Sequence, residues 1–296
     1  MTGPLDHAAR DASIRHLSYA YVRRREGLPA ADFAAYWRNV HGPLCSRLPG
    51  LDFYAQHHFA REPGTNLWPV ADGVRILAPA FDGAAEIGFA DLSGQAAFVA
   101  RSSILFGDEL NLFGHAVAYA LPHGARTLVD HEADGARSGP DPLHRLHLYL
   151  SLQPGPEAAA RVSQDAAAFA SSPLVRKVRL HLPEPYDNAH PAPPSPGVDH
   201  HVDDDWTTLA VLEIAFDTAL AARAFFETDA FQASLKVQAQ HVRALAACRV
   251  SAVHVFVRGG VVTTAGLRGA DAAGLIQGFG ALNQTAADVT SLFLPA

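Results

Sequence analysis

Apolar and polar positions along the chain change period in a fixed order, and they do so twice. Arg15–Arg23 alternates and is rich in Tyr and Val, which predicts a strand. After Gly27-Leu28-Pro29, with Pro29 suited to a first helical position, Phe33, Tyr36, Trp37 and Val40 recur at helical spacing. They predict a helix over Ala30–His41 that Gly42-Pro43 ends or redirects. Gly50–Ala60 reads as a second strand, Arg61–Ala80 as irregular and Ala84–Asp91 as a third strand. Ser93 is placed to cap a helix running towards Phe106, and His115–Leu121 is a fourth strand. This β-α-β-β-α-β order is the ferredoxin-like split unit.

The unit spans residues 14–121. Residues 122–142 are polar with Gly and Pro and read as a linker. The order then repeats over 143–258, with strands at Leu146–Leu152, Val175–Leu182, Trp206–Phe216 and Ser251–Val257. A helix starts at Pro154–Pro156, and a long helical region capped by Asp217 or Thr218 reaches about Ala247, with a break near Thr228-Asp229. Pro183–Asp205 is too biased in Pro, His and Asp for regular structure. A Gly/Ala-rich tail, 259–296, holds one helix near Ala270–Leu282.

A four-stranded sheet with both helices on one face leaves its other face apolar and uncovered. Two such units in one chain predict an α+β protein in which the repeats pack sheet to sheet, burying both faces as a pseudo-dimer. Pairing between chains is the competing arrangement; separately, a homodimer of pseudo-dimeric chains is compatible with the reading.

Composition narrows the function. Apolar residues make up 49% of the 296 residues and charged residues 18%, which argues against disorder. Apolar runs are interrupted well before the ~18 residues of a spanning helix, and the opening segment lacks the apolar core of an export signal. Two cysteines are too few for a disulfide framework or a thiolate metal cage, so a reducing cytoplasmic setting is expected. The formal charge of -7 and the short basic clusters do not suit nucleic acid. Phosphate cradles, serine elbows and His-Glu zinc motifs are missing, so no cofactor and no metal is implied. Sixteen histidines make proton transfer the chemistry to pursue.

Gly27 and Leu28, then Phe33, Trp37 and His41-Gly42-Pro43, followed by Leu48-Pro49-Gly50-Leu51 and a strand bearing Tyr and His, resemble the EthD family of the dimeric α+β barrel superfamily. Phe106–Phe113 is similar to the acidic segment before that family's last strand. The second half keeps the order of elements without the Trp-His-Gly-Pro motif. The resemblance implies two ferredoxin-like repeats forming a dimeric α+β barrel-like pseudo-dimer, with a cleft between helices and sheet of the first repeat. It also implies relatives that are cofactor-independent cyclases, decarboxylases, dehydratases, isomerases and small monooxygenases, many acting on aromatic or polyketide-derived compounds, beside accessory proteins.

Candidate residues follow. Trp37 and His41 share a helical face, and His41 falls at a helix C-terminus, where the dipole favours positive charge. His57 and His58 point to opposite faces of one strand, with Tyr54, Gln56 and His58 sharing a face expected to line the cleft. Tyr21 offers a phenol from the first strand. Asp108 could orient His41, with Glu109 and Asn111 beside it. His147, Lys177, Arg179, His181, Glu213 and His254 stand on otherwise apolar strands and hint at a second polar pocket. His200, His201 and Asp203–Asp205 read as a solvated loop rather than a metal site. The expectation is a lyase or cyclase acting on a small aromatic or polyketide-like substrate. His41, His58 and Asp108 would do acid–base work, and Trp37, Tyr54, Tyr21 and Asn111 would bind substrate. The alternatives are an oxidoreductase (a cofactor-free monooxygenase or a haem protein) and a non-catalytic accessory protein.

Overall fold

In the computed structural model, which describes residues 5–61 and 67–293, the first alternating run is strand β1 (His16–Arg24). Helix α1 (Ala30–Tyr36), a π-helical turn (Trp37–His41) and helix α2 (Gly42–Ser46) follow. Then come β2 (Phe53–Phe59), β3 (Arg75–Ile76), β4 (Gly83–Phe89), α3 (Leu92–Val99), α4 (Ser103–Leu112) and β5 (Phe113–Leu121). Residues 62–66 of the irregular stretch, and the first four residues of the opening segment, lie outside the described residues.

The stretch 122–142 is more than a tether. It contributes β6 (Arg126–Asp130) and β7 (Ser138–Pro140), which pair with strands of the second repeat. That repeat consists of β8 (His144–Leu152), α5 (Pro156–Ala170), β9 (Val175–His181), α6 (Asp204–Thr207), β10 (Leu209–Phe216), α7 (Ala219–Phe226), α8 (Asp229–Val237) and β11 (Val242–Arg258). Residues 242–247, expected as the end of a helical region, are strand instead. Their Ala- and Leu-rich composition favours a helix locally, but pairing with β8 and burial on both faces override it. The expected break is present, with Thr228 capping α8. The tail adds β12 (Val261–Val262), α9 (Thr264–Arg268), α10 (Ala270–Gly278) and α11 (Ala287–Thr290). No helix among the described residues is long and apolar enough to cross a membrane.

Strand order is β5-β1-β4-β2 in the first repeat and β11-β8-β10-β9 in the second, the ferredoxin-like arrangement in both. The second repeat's last strand crosses to the first repeat, and the strand that follows the first repeat crosses to the second. Strand β11 pairs with β8 through its first half and with β2 through its second. On the opposite side, β5 pairs with β1, and β6, four residues further on, pairs with β9. The two sheets thereby form one barrel within a single chain.

Helices cover the outside of each sheet, over cores around Trp37 and Phe256 in one repeat and Phe169 and Phe225 in the other. The barrel interior is not the apolar core expected from facing sheets. One part packs Tyr21, Phe81, Tyr119, Tyr149 and Trp206. The other holds Glu86, Arg145, Lys177, Arg179 and Glu213, which the two sheets tolerate because each finds an opposite charge.

Gly42-Pro43 redirects the helix rather than ending it. Pro43 has no N–H to continue the ladder, and the Gly42 N–H reaches back five residues to the Trp37 carbonyl, opening the π turn. Gly42 is required for a second reason, since a Cβ there would come within 2.4 Å of the Phe256 ring. Gly42→Ala is expected to destabilise the fold by about 1–3 kcal/mol, the usual cost of overpacking, read as a lowered midpoint in thermal or urea unfolding.

Candidate functional site

The π turn sorts its side chains into two groups. His41 points towards α4, where its Nδ1 lies 2.8 Å from Asp108 Oδ2, and the Tyr36 hydroxyl donates to Asp108 Oδ1 at 2.6 Å. Burial works against the Asp108 charge, but the hydrogen bonds from His41 and Tyr36 outweigh it and keep the carboxyl below its usual range. Asn111, one turn on along α4, donates to the same carboxylate at 3.4 Å. The pairing of His41 with Asp108 foreseen from the sequence is thus present. The His41 ring is buried against Phe113 and does not line the cleft that the helix helps to roof. Burial holds neighbouring Glu109 above the ordinary carboxylate range.

That cleft, of about 920 Å³, lies on the opposite side of the turn. Its walls are α1, β7 and α10, and its floor is His58 from β2 and His254 from β11, with the two rings 4.9 Å apart. Phe33, Phe59 and Leu275 supply apolar surface, while Arg38 on the π turn binds Asp271 of α10 and draws the walls together. Gln56 donates to the Trp37 carbonyl and the Tyr54 hydroxyl, so its oxygen, 3.2 Å from His58 Nε2, must accept. His58 therefore carries its proton on Nε2, and Nδ1 is its basic atom. Burial, then His254 and Arg38, push His58 well below the normal imidazole range, and burial and Arg38 lower His254 to about 4. Ser138 hydrogen-bonds His254 Nδ1 at 3.0 Å. A hollow of about 940 Å³ on the other side of α10 is lined without an imidazole.

The predicted residues do not converge on one point. Trp37 stands between the groups, 4.6 Å from the His58 ring and packed on Phe33 and Phe113. Tyr54 shares the face of Gln56 and His58, as expected, but it is buried against Phe256 beneath the cleft rather than in its lining. Tyr21 faces the barrel interior, stacked on Phe81, because alternation on β1 sends it away from the helices, so it cannot bind a ligand in this cleft. Asn111 is held at Asp108 and is remote from the cleft lining. His200, expected in solvent, is buried with its ring nitrogens against the Ala116 and Ser195 carbonyls.

The polar strand residues of the second repeat do gather, inside the barrel. Arg179 binds Glu86 at 3.0 Å and Asp11 at 2.6 Å, and His181 adds a bond to Glu86 at 3.0 Å. Arg145 binds Glu132, Asp141 and Glu213. Burial opposes the Glu86 and Glu213 charges, but Arg179 and His181 at Glu86, and Lys177 and Arg145 at Glu213, hold both carboxyls well below their usual range. Burial and nearby His57 keep His147 neutral. His254 is the exception. A bulge between Val250 and Ala252 reverses the phase of β11, so His254 faces the cleft while Val253 and Val255 face the interior.

Comparison with known proteins supports the fold and the first repeat. Residues 25–113 match the EthD domain. No curated protein matches the sequence. An anthrone oxidase-like protein of known structure is similar in fold, with a TM-score of 0.51 and 11% identity over 84% of this chain and 96% of that one. A candidate monooxygenase of Fusobacterium nucleatum aligns with a TM-score of 0.47 and 8% identity over 84% of this chain and 97% of its own. Residues 25–113 thus match the EthD domain, set within a fold of two ferredoxin-like repeats.

Proposed function

We propose that the chain is an enzyme of the lyase or cyclase type that moves protons on a small aromatic or polyketide-like molecule held in the first-repeat cleft. The observation carrying this reading is the pair of neutral imidazoles on the floor of a cleft of about 920 Å³, a size that suits a small organic ligand. His58 Nδ1 is the general base. It takes a proton from an activated C–H or O–H, and the electron pair left behind forms the new π or ring bond as a leaving group departs with its own bonding pair. His254 receives or returns the proton beside it. The His41–Asp108–Tyr36 group acts at one remove, fixing the π turn and hence Trp37 beneath His58.

A second reading uses the same first step, with dioxygen as oxidant of the resulting carbanion and no cofactor. The likeness to an anthrone oxidase-like protein supports testing it. Anthrones, hydroxylated aromatic acids and poly-ketone aromatics are suitable probes. Product mass and dioxygen consumption separate the two readings, and failure to bind or convert any probe favours an accessory role.

Because His58 is neutral well below pH 6.5, the acid limb of kcat/KM on a converted probe is expected below that pH. His58→Ala is expected to lower kcat by ~10²–10⁴. Wild-type kcat in that folded variant would remove His58 from the mechanism.

A stability prediction has the opposite sign from that of a salt-bridged histidine. His254 titrates at about 4 in the fold against 6.5 in the free chain. Between those values the unfolded chain binds more protons, so stability present above pH 6.5 is lost as the pH falls to 4. The slope is up to about 1.4 kcal/mol per pH unit from this ring. Urea unfolding across this range is expected to show a shallower dependence in His254→Phe.

A further inference from the structure

The barrel interior contains an arrangement that the cleft chemistry does not use. His57 is on β2 of the first repeat, His147 on β8 and Glu213 on β10 of the second, and one donor atom from each lies within 4.8 Å of the other two. All three side chains are almost fully buried, at 3%, 0% and 0% exposure. In each, one polar atom is bound and the other is orphaned. His57 Nε2 faces Glu86 Oε1 at 3.3 Å, His147 Nδ1 faces the Tyr19 hydroxyl at 2.7 Å, and Glu213 Oε1 is taken by Arg145 and by Lys177 at 3.5 Å. His57 Nδ1, His147 Nε2 and Glu213 Oε2 are left without a partner among the described residues.

An ionised Glu86 can only accept, so His57 donates from Nε2, and the neutral ring turns an Nδ1 lone pair inward. The free oxygen of Glu213 is likewise acceptor-only. With the Tyr19 hydroxyl accepting from His147 Nδ1 and donating to Tyr149, His147 Nε2 also carries a lone pair, and a cation held among buried lone pairs removes the cost of leaving them unpaired. We infer that His57, His147 and Glu213 form a binding site for a divalent first-row transition ion, with Glu86 and Tyr19 orienting the two imidazoles from behind. Two imidazoles and one carboxylate are a donor set for zinc or ferrous iron rather than for calcium or magnesium. Outer partners that fix the ring tautomers are the usual companions of such ligands. A hollow of about 30 Å³ reaches His57 and Glu86 from the barrel end near Asp134 and Arg137. Because the ligands come from both repeats, the ion would fasten one repeat to the other.

The test is metal analysis of the full chain produced in zinc- or iron-supplemented medium, and of chelator-stripped protein reloaded with Co²⁺ and read by its visible d–d bands. Wild type is expected to hold about one ion per chain and to melt higher when loaded than when stripped. His147→Gln and Glu213→Gln are expected to lose the ion and the melting difference, while His58→Ala keeps both. Should the barrel variants fail to fold, anomalous diffraction from Co²⁺-loaded wild type locates the ion, and a peak between His57 and His147 sustains the proposal. Absence of bound metal in both preparations, or an anomalous peak elsewhere with ordered water at this point, overturns it. None of these readouts depends on turnover in the cleft.

Discussion

A charge sealed inside a barrel has no water to turn to, and this constraint organises the molecule. Arg179, from the second repeat, binds Glu86 of the first and Asp11 ahead of it, with 2% of its surface exposed. Removing one partner of such a pair typically costs roughly 3–5 kcal/mol, because the other is left buried and unpaired. The ion pairs are therefore directional where an apolar interface would be tolerant. They set which strand of one repeat faces which strand of the other, and they make a lone repeat a poor candidate for independent folding. The fusion of two copies into one chain supplies both halves of each pair at once.

That frame determines where a ligand can go. The interior is filled with rings and ion pairs, and the cleft floored by His58 and His254 lies on the helix side, where the π turn and α10 leave the β2 and β11 surface uncovered. The second repeat contributes through β11 alone, whose late half crosses over to pair with β2 and brings His254 beside His58. The lack of the Trp-His-Gly-Pro motif in that repeat fits a half that completes the barrel and the cleft floor.

Much of this was legible in the sequence. The doubled order of elements gave the pseudo-dimer, the motif around Trp37 and His41 gave the likeness to the EthD domain, and strict alternation on β2 put His57 and His58 on opposite faces. Three features were not legible, each for a physical reason. The bulge in β11 reverses the phase of one strand, and nothing local in Ser251-Ala252-Val253 announces it. Strand pairing turns 242–247 from an expected helical into an extended segment. Ligating atoms drawn from β2, β8 and β10 have no linear spacing, so a search for metal motifs passes over them although His147 and Glu213 stood out as polar residues on apolar strands. Tyr21, expected to bind substrate, packs in the barrel interior, because alternation along β1 does not by itself say which face meets the helices.

The central claim is that chemistry occurs over the two neutral imidazoles and not at the His41–Asp108 pair. A crystal structure with a bound aromatic probe tests it most directly. The account predicts density between α1 and α10 with the ligand within hydrogen-bonding reach of His58 Nδ1. Density instead beside His41 and Asp108, with the cleft holding only solvent, would contradict it.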